Sequence, residues 1–138
     1  MSAIRDAVKE ELAERGYSGV TFEGVARRAR TSKPVLYRRY RSRAHMVADA
    51  LPTLRWQPER TVPAKTLRED LLILLNEMLD RFHQIGIETY RSLFAEADDE
   101  LLTDIGAQLE QWIRRTVGPA LSDARDRGEI GGAEIPDR

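Results

Sequence analysis

The stretch "TSKPVLYRRYRSR", Thr31 to Arg43, decides the fold of the first part of the chain. It holds five basic residues and no acid, with a proline and two tyrosines set among them. Ser32 is a predicted N-cap, and Pro34 follows in the first turn, where its missing N–H costs nothing. At about 100° per residue, Leu36 and Tyr40 lie on one side of this helix, so they are predicted to face a core.

The other side of the predicted helix is cationic and partly apolar. It carries Pro34, Val35 and Arg38, with Lys33 and Tyr37 on one flank and Arg39 on the other. Arginine-rich helices are commonly no more than solvated, and 19 of the 22 basic residues of this chain are arginine. A merely solvated face does not need a proline, a valine and an aromatic ring, so we interpret this face as a binding surface.

The net charge of −1 over 138 residues hides a division between two parts of the chain. Residues 1–50 contain 11 Lys and Arg against 6 Asp and Glu, a net charge of +5. Residues 51–138 contain 11 against 17, a net charge of −6. Because attraction and counterion release depend on local positive charge, only the first part is predicted to meet a polyanion.

Two predicted helices precede the quoted stretch and another follows it. Apolar residues recur at helical spacing from Ile4 to Leu12, and Gly16 follows as a stop. Thr21 is a predicted N-cap for a short helix over 22–29, and Ser42 for a fourth helix from 43 to about 51. A short helix, a tight turn and a second helix with a basic outer face describe a helix-turn-helix, whose second helix enters the major groove of DNA.

The rest of the chain also has helical periodicity. The segment "PTLRWQPERTVPAKT", residues 52–66, has three prolines and is predicted to be a hinge or loop. Apolar stripes on three further helices are Leu67, Leu71, Leu74, Leu75, Met78 and Phe82; then Ile87, Tyr90, Phe94 and Ala97; then Leu102, Ile105, Leu109, Trp112 or Ile113, Val117 and Leu121. Asp98 or Asp99 is expected to cap the last helix, and Gly118-Pro119 to kink or break it.

No stretch alternates with period two for long enough to be a strand, so the predicted fold class is all-α. The expected architecture is a three-helix helix-turn-helix head, joined by a fourth helix to a C-terminal helical bundle.

From Ile4 to Val47 the chain resembles the tetracycline-repressor-like (TetR) family of transcriptional regulators. The amphipathic first helix is followed by "ERGYSGVTFEGVARRA" and "SKPVLYRRYRSR". Leu36, Tyr37 and Ser42 stand where the family usually has its Leu-Tyr pair and the cap of its fourth helix. Such agreement in order and spacing is specific, unlike a lone short motif. From Thr66 onward the resemblance is weaker and rests on helix lengths and the closing "ARDRGEI".

The resemblance implies a DNA-binding domain over residues 1–48 and a ligand-binding and dimerisation domain over 49–138. The residues that it implies at DNA are Thr21, Thr31, Ser32, Lys33, Pro34, Val35, Tyr37, Arg38, Arg39 and Arg43. Base readout is expected for Lys33, Val35 and Arg38, and phosphate contact for Thr21, Tyr37 and Arg43, with Thr31, Ser32 and Arg39 between the two roles. The implied function is that of a ligand-responsive repressor, a homodimer on a palindromic operator in double-stranded DNA.

The resemblance also implies a cavity for a small-molecule effector among the later helices. The candidate lining residues are Phe82, His83, Tyr90, Phe94 and Trp112. Aromatic residues at helical spacing are more commonly plain core, and a surface position is the alternative for His83.

Two positions depart from the family pattern. Arg30 stands where the family usually has a glycine in the turn, and a residue other than glycine at positive φ costs roughly 1 kcal/mol. Thr31 replaces a usual apolar residue. The turn is therefore expected to be strained or distorted, although Arg30 adds a positive charge near the phosphates.

Other classes of protein are disfavoured by what the sequence lacks. It has no glycine-rich phosphate loop and no Ser-His-Asp order, and with His45, His83 and no cysteine a metal site lacks ligands beyond carboxylates. No enzyme activity, cofactor or metal is predicted. The longest apolar run, "LLILL", is far too short to span a bilayer and no signal peptide begins the chain, so a cytoplasmic protein is expected. The open alternative is an all-α interaction module whose basic head binds an acidic protein.

The closing segment "RGEIGGAEIPDR", residues 127–138, resembles the loop that precedes two further helices in the family, where these helices form a four-helix dimer interface. We therefore expect a shortened chain whose 138 residues self-associate poorly and bind DNA weakly. A dimer through the helix at 100–127 is the alternative.

Overall fold

The computed structural model describes residues 2–51 and 65–131, and the regular structure in these two ranges is entirely helical. The helices are α1 (Ser2–Gly19), α2 (Phe22–Arg28), α3 (Lys33–Arg39), α4 (Arg43–Ala50), α5 (Leu67–Ile85), α6 (Ile87–Glu96) and α7 (Asp99–Asp126). The prediction of an all-α fold is confirmed. The predicted hinge at 52–66 lies outside the described residues apart from its last two, and so does the end of the chain from 132 onward.

Short polar side chains begin several helices where the sequence predicts them. Thr21, Ser42 and Asp98 each accept a hydrogen bond from the backbone N–H three residues further on, at 3.0, 3.3 and 2.8 Å. Each of these bonds satisfies one of the donors that a helix leaves open at its first turn. Ser32 occupies the N-cap position of α3, but its side chain makes no capping hydrogen bond. The predicted helix starts are therefore confirmed, and Ser32 acts through its backbone conformation.

The turn between α2 and α3 is a regular Schellman motif with Arg30 at its left-handed position. The Arg30 N–H donates to the Arg27 carbonyl at 3.3 Å, and the Thr31 N–H donates to the Ala26 carbonyl at 2.9 Å. Arg30 has a φ of 53°. The turn is therefore strained by the missing glycine, as expected, and it keeps the hydrogen-bond pattern of an undistorted turn.

The core of the head continues into the later helices. Leu36 of α3 and Met46 of α4 are fully buried, and each such side chain contributes about 1.5–3 kcal/mol relative to an exposed position. The same apolar cluster includes Leu93 of α6 and Leu101 of α7. Helix α1 packs on α2, α4 and α6. The orientation of the head is thus set partly by residues far along the chain.

Helix α2 is fixed to α1 by the guanidinium group of Arg28. Its Nε donates to Glu11 at 3.0 Å, its Nη1 to Glu10 at 2.9 Å, and its Nη2 to Glu14 at 2.6 Å. The hydrogen bond from Arg28 holds the pKa of Glu14 below its usual value. This cluster attaches the first helix of the helix-turn-helix to the helix behind it.

Helices α5 and α7 pack against each other, and α7 continues through Pro119 as one helix. The sequence predicts a kink or a break at Gly118-Pro119, and the break is wrong because α7 runs through both residues. Thr116, Ala120 and Ala124 are buried on both sides of the proline, whereas Pro119 itself is exposed. Burial of the flanking turns offsets the roughly 3 kcal/mol that an interior proline costs.

Candidate nucleic-acid interface and cavity

Helix α3 is held from its inner side. Leu36 is fully buried, and the Tyr40 hydroxyl at the end of the helix donates to Asp49 at 2.7 Å. Asp49 also accepts two hydrogen bonds from Arg5 of α1, both at 3.2 Å. Burial and the hydrogen bond to Asp49 raise the pKa of Tyr40. The predicted core roles of Leu36 and Tyr40 are confirmed, and Asp49 ties α1, α3 and α4 together.

The outer side of α3 presents the side chains that the sequence places there. Val35 is 41% exposed and Tyr37 is 60% exposed. The Tyr37 ring stacks on Phe22 of α2, with centroids 4.4 Å apart and an interplanar angle of 6°. Lys33 lies 3.5 Å from Glu23 in an exposed ion pair, which contributes little to stability and is readily exchanged for another anion. The outer side of α3 therefore combines a stacked aromatic ring with an exposed cation.

Four further candidates lie at the start of the motif or on its exposed face. Arg38 is exposed, with its Nε donating to the Pro34 carbonyl at 3.4 Å. Pro34 and Ser32 are exposed, and Thr21 is exposed while its oxygen caps α2. As an acceptor in that cap, the Thr21 hydroxyl keeps its proton available for a phosphate oxygen. These groups share the surface of α3 with Lys33, Val35 and Tyr37.

Arg43 is turned toward the protein and bound by several groups. Its Nη2 pairs with Glu96 at the end of α6, and its Nη1 donates to the Ser18 carbonyl at 3.1 Å. The guanidinium group lies 4.7 Å from the centroid of the Tyr17 ring, and the Tyr17 hydroxyl donates to Glu96 at 2.7 Å. The sequence reasoning missed Tyr17 and Glu96, because no local pattern joins residues 79 positions apart.

The charges in this cluster stabilise one another. The hydrogen bond from Arg43 lowers the pKa of Glu96, burial opposes that shift, and the hydrogen bond from Tyr17 supports it. Burial and the nearby carboxylate raise the pKa of Tyr17. The cluster is therefore charged as an Arg43–Glu96 pair at neutral pH, with a neutral tyrosine.

Two more basic residues beside the recognition helix pair with acids at the junction of α6 and α7. Arg41 pairs with Glu100, and the Nε2 of His45 lies 3.5 Å from Asp98. Thr31 is half-buried, and Arg39 is half-buried with its Nη2 3.7 Å from Asp49. Three acids of "AEADDE" therefore lie against the head, namely Glu96, Asp98 and Glu100, and Asp98 also caps α7.

A cavity of about 400 Å³ lies between the head and the later helices. Its lining residues are Arg39, Tyr40, His45, Ala48, Asp49, Leu51, Phe82, Tyr90, Leu93, Phe94, Leu101, Asp104, Ile105, Gln108 and Leu109. Phe82, Tyr90 and Phe94 are among the five residues predicted for a ligand pocket. Trp112 is buried on α7 and His83 is exposed, and neither borders this cavity. The contribution of the head to its wall was not foreseen, because it depends on the packing of α4 against α6.

The part of the chain that the structure describes has neither a cluster of metal ligands nor a helix suited to span a membrane. Among residues 2–51 and 65–131, no group of three or more His, Cys, Asp or Glu side chains could hold a metal ion. In the same ranges, no helix combines the length and the apolar character needed to cross a membrane.

Comparison with known proteins gives a family and several relatives. Residues 4–50 match the family described as "Bacterial regulatory proteins, tetR family". The chain is 35% identical over 130 residues to proteins named "Uncharacterized HTH-type transcriptional regulator" from Mycobacterium bovis and from two strains of Mycobacterium tuberculosis. The aligned region covers 91% of this chain and 63% of each relative, so the chain spans less than two thirds of their length. No solved structure matches the chain significantly.

A capped two-helix motif with a basic, partly apolar outer face defines the class of helix-turn-helix DNA-binding proteins. The head of the chain, residues 4–50, belongs to the TetR family of bacterial regulatory proteins. The family description and the names of the relatives are those of regulators of transcription.

Proposed function

We propose that this protein is a ligand-responsive repressor that binds a palindromic operator as a homodimer, through the outer face of α3. In this proposal residues 1–48 bind DNA, and residues 49–138 bind an effector and the second copy of the chain. The observation that carries it is a rigidly held helix whose exposed side combines cations with Val35 and the stacked ring of Tyr37. Such a surface suits the major groove, where base edges offer both acceptors and methyl groups.

The exposed candidates divide into two roles at the operator. Lys33 and Arg38 address acceptors on guanine, and Val35 contacts a thymine methyl group. The hydroxyl groups of Thr21 and Tyr37 donate to phosphate oxygens and so fix the orientation of the head. Three further residues lie at the edge of the proposed contact with DNA and assist it: Thr31, Ser32 and Arg39.

The phosphate contact that the sequence assigns to Arg43 requires an exchange of partners. In the structure Arg43 pairs with Glu96 and donates to the Ser18 carbonyl. An arginine side chain has five N–H donors. Arg43 can therefore retain its hydrogen bond to the Ser18 carbonyl while a phosphate replaces the carboxylate of Glu96 as its partner. In this proposal the Arg43–Glu96 pair therefore competes with the operator.

Dimerisation is supported by apolar side chains left exposed on the later helices. Leu72, Leu75 and Leu79 follow one stripe of α5, and Leu109 and Ile113 lie on α7, all between 40% and 50% exposed. Exposed apolar patches of this kind mark protein–protein contacts. Two copies would place their recognition helices about 34–36 Å apart, one turn of DNA, and so multiply the number of bases read.

Selection of binding sites from random duplexes tests the function, followed by affinities on single-base variants of the selected site. Arg38→Ala should reduce discrimination at one base pair by about 1–3 kcal/mol, because one bidentate contact is lost. Arg114→Ala, which removes a surface arginine of α7 that pairs with Glu110, serves as the control and should leave affinities unchanged. Failure to enrich any sequence would favour the acidic-protein alternative, and a uniform loss in Arg38→Ala would contradict the base-readout role.

Analytical ultracentrifugation tests the dimer. We expect two protomers per palindromic duplex and one per half-site, because each recognition helix occupies one half-site. Leu75→Glu on α5 should weaken the two-protomer complex, whereas Glu88→Gln on α6 should not. One protomer on the full palindrome at saturating protein would contradict the homodimer.

A further inference from the structure

The cavity between the head and the later helices has one strongly aromatic wall. Phe82 of α5 and Tyr90 of α6 form a tilted pair with ring centroids 4.7 Å apart, and Phe94 lies one turn after Tyr90. Phe94 is 49% exposed, so its ring is available to a ligand. A volume of about 400 Å³ falls in the range of small-molecule sites.

The polar part of the cavity lining includes Arg39, His45, Asp49 and Asp104. Arg39 and Asp49 both line it and lie 3.7 Å apart, and Asp49 already accepts hydrogen bonds from Arg5 and Tyr40. Within the described residues, the exposed Asp104 of α7 makes no ion pair or hydrogen bond. Gln108 follows it by one helical turn on the same wall and is likewise without a partner in those residues. Asp104 therefore lines the cavity as a carboxylate without a charged partner among the described residues, and the same cavity is lined by the aromatic rings of Phe82, Tyr90 and Phe94.

From this arrangement we propose that the cavity binds a lipophilic cation, an apolar or aromatic body with one positive charge. The positive charge pairs with Asp104 and lies against the faces of the aromatic rings, which attract cations electrostatically. The apolar body fills the space beside Leu93 and Leu101. An anion of the same shape meets the carboxylate of Asp104 and is rejected, because like charges at close range repel.

A ligand at this position touches the end of the recognition helix. Tyr40 and Arg39 border the cavity, and both contact Asp49, which also holds α1. A cation there changes the electrostatic environment of the contact that orients α3. The inference rests on the proposed function in treating the cavity as the effector site, but cation binding itself requires no DNA.

Binding of tetraphenylphosphonium and tetraphenylborate, measured by isothermal titration calorimetry without DNA, tests the inference. The two ions have the same shape and opposite charge. Wild-type protein should bind one tetraphenylphosphonium per chain, and bind tetraphenylborate at least about tenfold more weakly. Asp104→Asn should weaken the phosphonium about five- to tenfold and remove most of the discrimination. Asp80→Asn, at an exposed acid of α5 outside the cavity, is the matched control and should bind like wild type.

A second variant separates the aromatic wall from the carboxylate. Phe94→Leu keeps an apolar side chain and removes a ring face, so phosphonium binding should weaken while circular dichroism and thermal unfolding stay near those of wild type. Absence of phosphonium binding, equal binding of both ions, or no effect of Asp104→Asn would overturn the inference. Operator binding is measured separately by fluorescence anisotropy. Intact operator binding without phosphonium binding refutes this inference alone, and the reverse result refutes the proposed function alone.

Discussion

At the residue scale, Arg30 shows what one unusual side chain does to a turn. Its φ of 53° is the left-handed conformation, in which the Cβ of a residue other than glycine crowds the backbone. We predict that Arg30→Gly raises the free energy of unfolding by up to about 1 kcal/mol, because the turn keeps its hydrogen bonds and loses its strain. Chemical denaturation at pH 7 measures the change.

The matched control for this prediction is Arg30→Ala. Alanine removes the same charge and keeps the Cβ, so the free energy of unfolding of this variant should be equal to or lower than that of wild type. Equal gains in Arg30→Gly and Arg30→Ala would show that the charge, and not the backbone, destabilises the turn. Operator affinity of both variants then reports whether the charge of Arg30 contributes to DNA binding.

Sequence reasoning at this scale succeeded where the physics is local. Thr21, Ser42 and Asp98 cap helices that begin one residue later, and Leu36 and Tyr40 are buried because of helical periodicity. It did not foresee the partners of Arg43, since Glu96 lies 53 residues away and nothing in a linear pattern selects it.

At the scale of single helices, two prolines occupy opposite environments. Pro34 lies in the first turn of α3, where no backbone donor is needed, and Pro119 lies inside α7, where one is lost. We predict that Pro119→Ala stabilises the protein by about 1–3 kcal/mol, because the alanine N–H restores the bond to the carbonyl four residues earlier. Thermal unfolding followed by circular dichroism at 222 nm provides the measurement.

Pro34→Ala is the comparison for that prediction. The Pro34→Ala variant should have an unchanged free energy of unfolding or one lower by up to about 1 kcal/mol, because the substitution mainly increases the conformational entropy of the unfolded chain. If both substitutions shifted stability in the same direction by the same amount, the position of the proline in the helix would not explain its effect.

The same helix marks the limit of prediction from local pattern. A proline after a glycine favours a break, and that rule is sound for an isolated helix. In this protein Thr116, Ala120 and Ala124 are buried, and α7 packs with α5. A rule based on neighbouring residues takes no account of a partner helix about forty residues earlier in the chain. The helices were therefore predicted well, and their continuity and mutual contacts were not.

At the scale of the whole molecule, the Arg43–Glu96 pair joins the head to α6 and should make stability depend on pH. The pKa of Glu96 is lowered in the folded protein from its usual 4.5, chiefly by the hydrogen bond from Arg43. A carboxyl group whose folded pKa is depressed stabilises the fold above its unfolded pKa, and this contribution is lost as pH falls through the folded value. We predict that Glu96→Gln lowers stability at pH 7, and that its difference from wild type shrinks below pH 4.5.

Denaturation curves at a series of pH values measure this difference directly. Glu88→Gln is the control on the same helix, because Glu88 is exposed and pairs with Arg91 three residues away. It should differ little from wild type at any pH, since exposed pairs of this kind contribute at most about 1 kcal/mol. A constant gap between Glu96→Gln and wild type from pH 7 to pH 3 would mean that Glu96 acts through packing and not through its charge.

The shared apolar core has a consequence for engineering. Leu93 and Leu101 belong to the same cluster as Leu36 and Met46, so the head formed by α1 to α4 is not a separable domain. A chimera that joins this head to the ligand-binding domain of another protein would expose that cluster, unless α6 and the first turn of α7 were transferred together with the head. If α3 binds the operator as proposed, new operator preferences are therefore better obtained by changing the outer face of α3 than by exchanging whole segments.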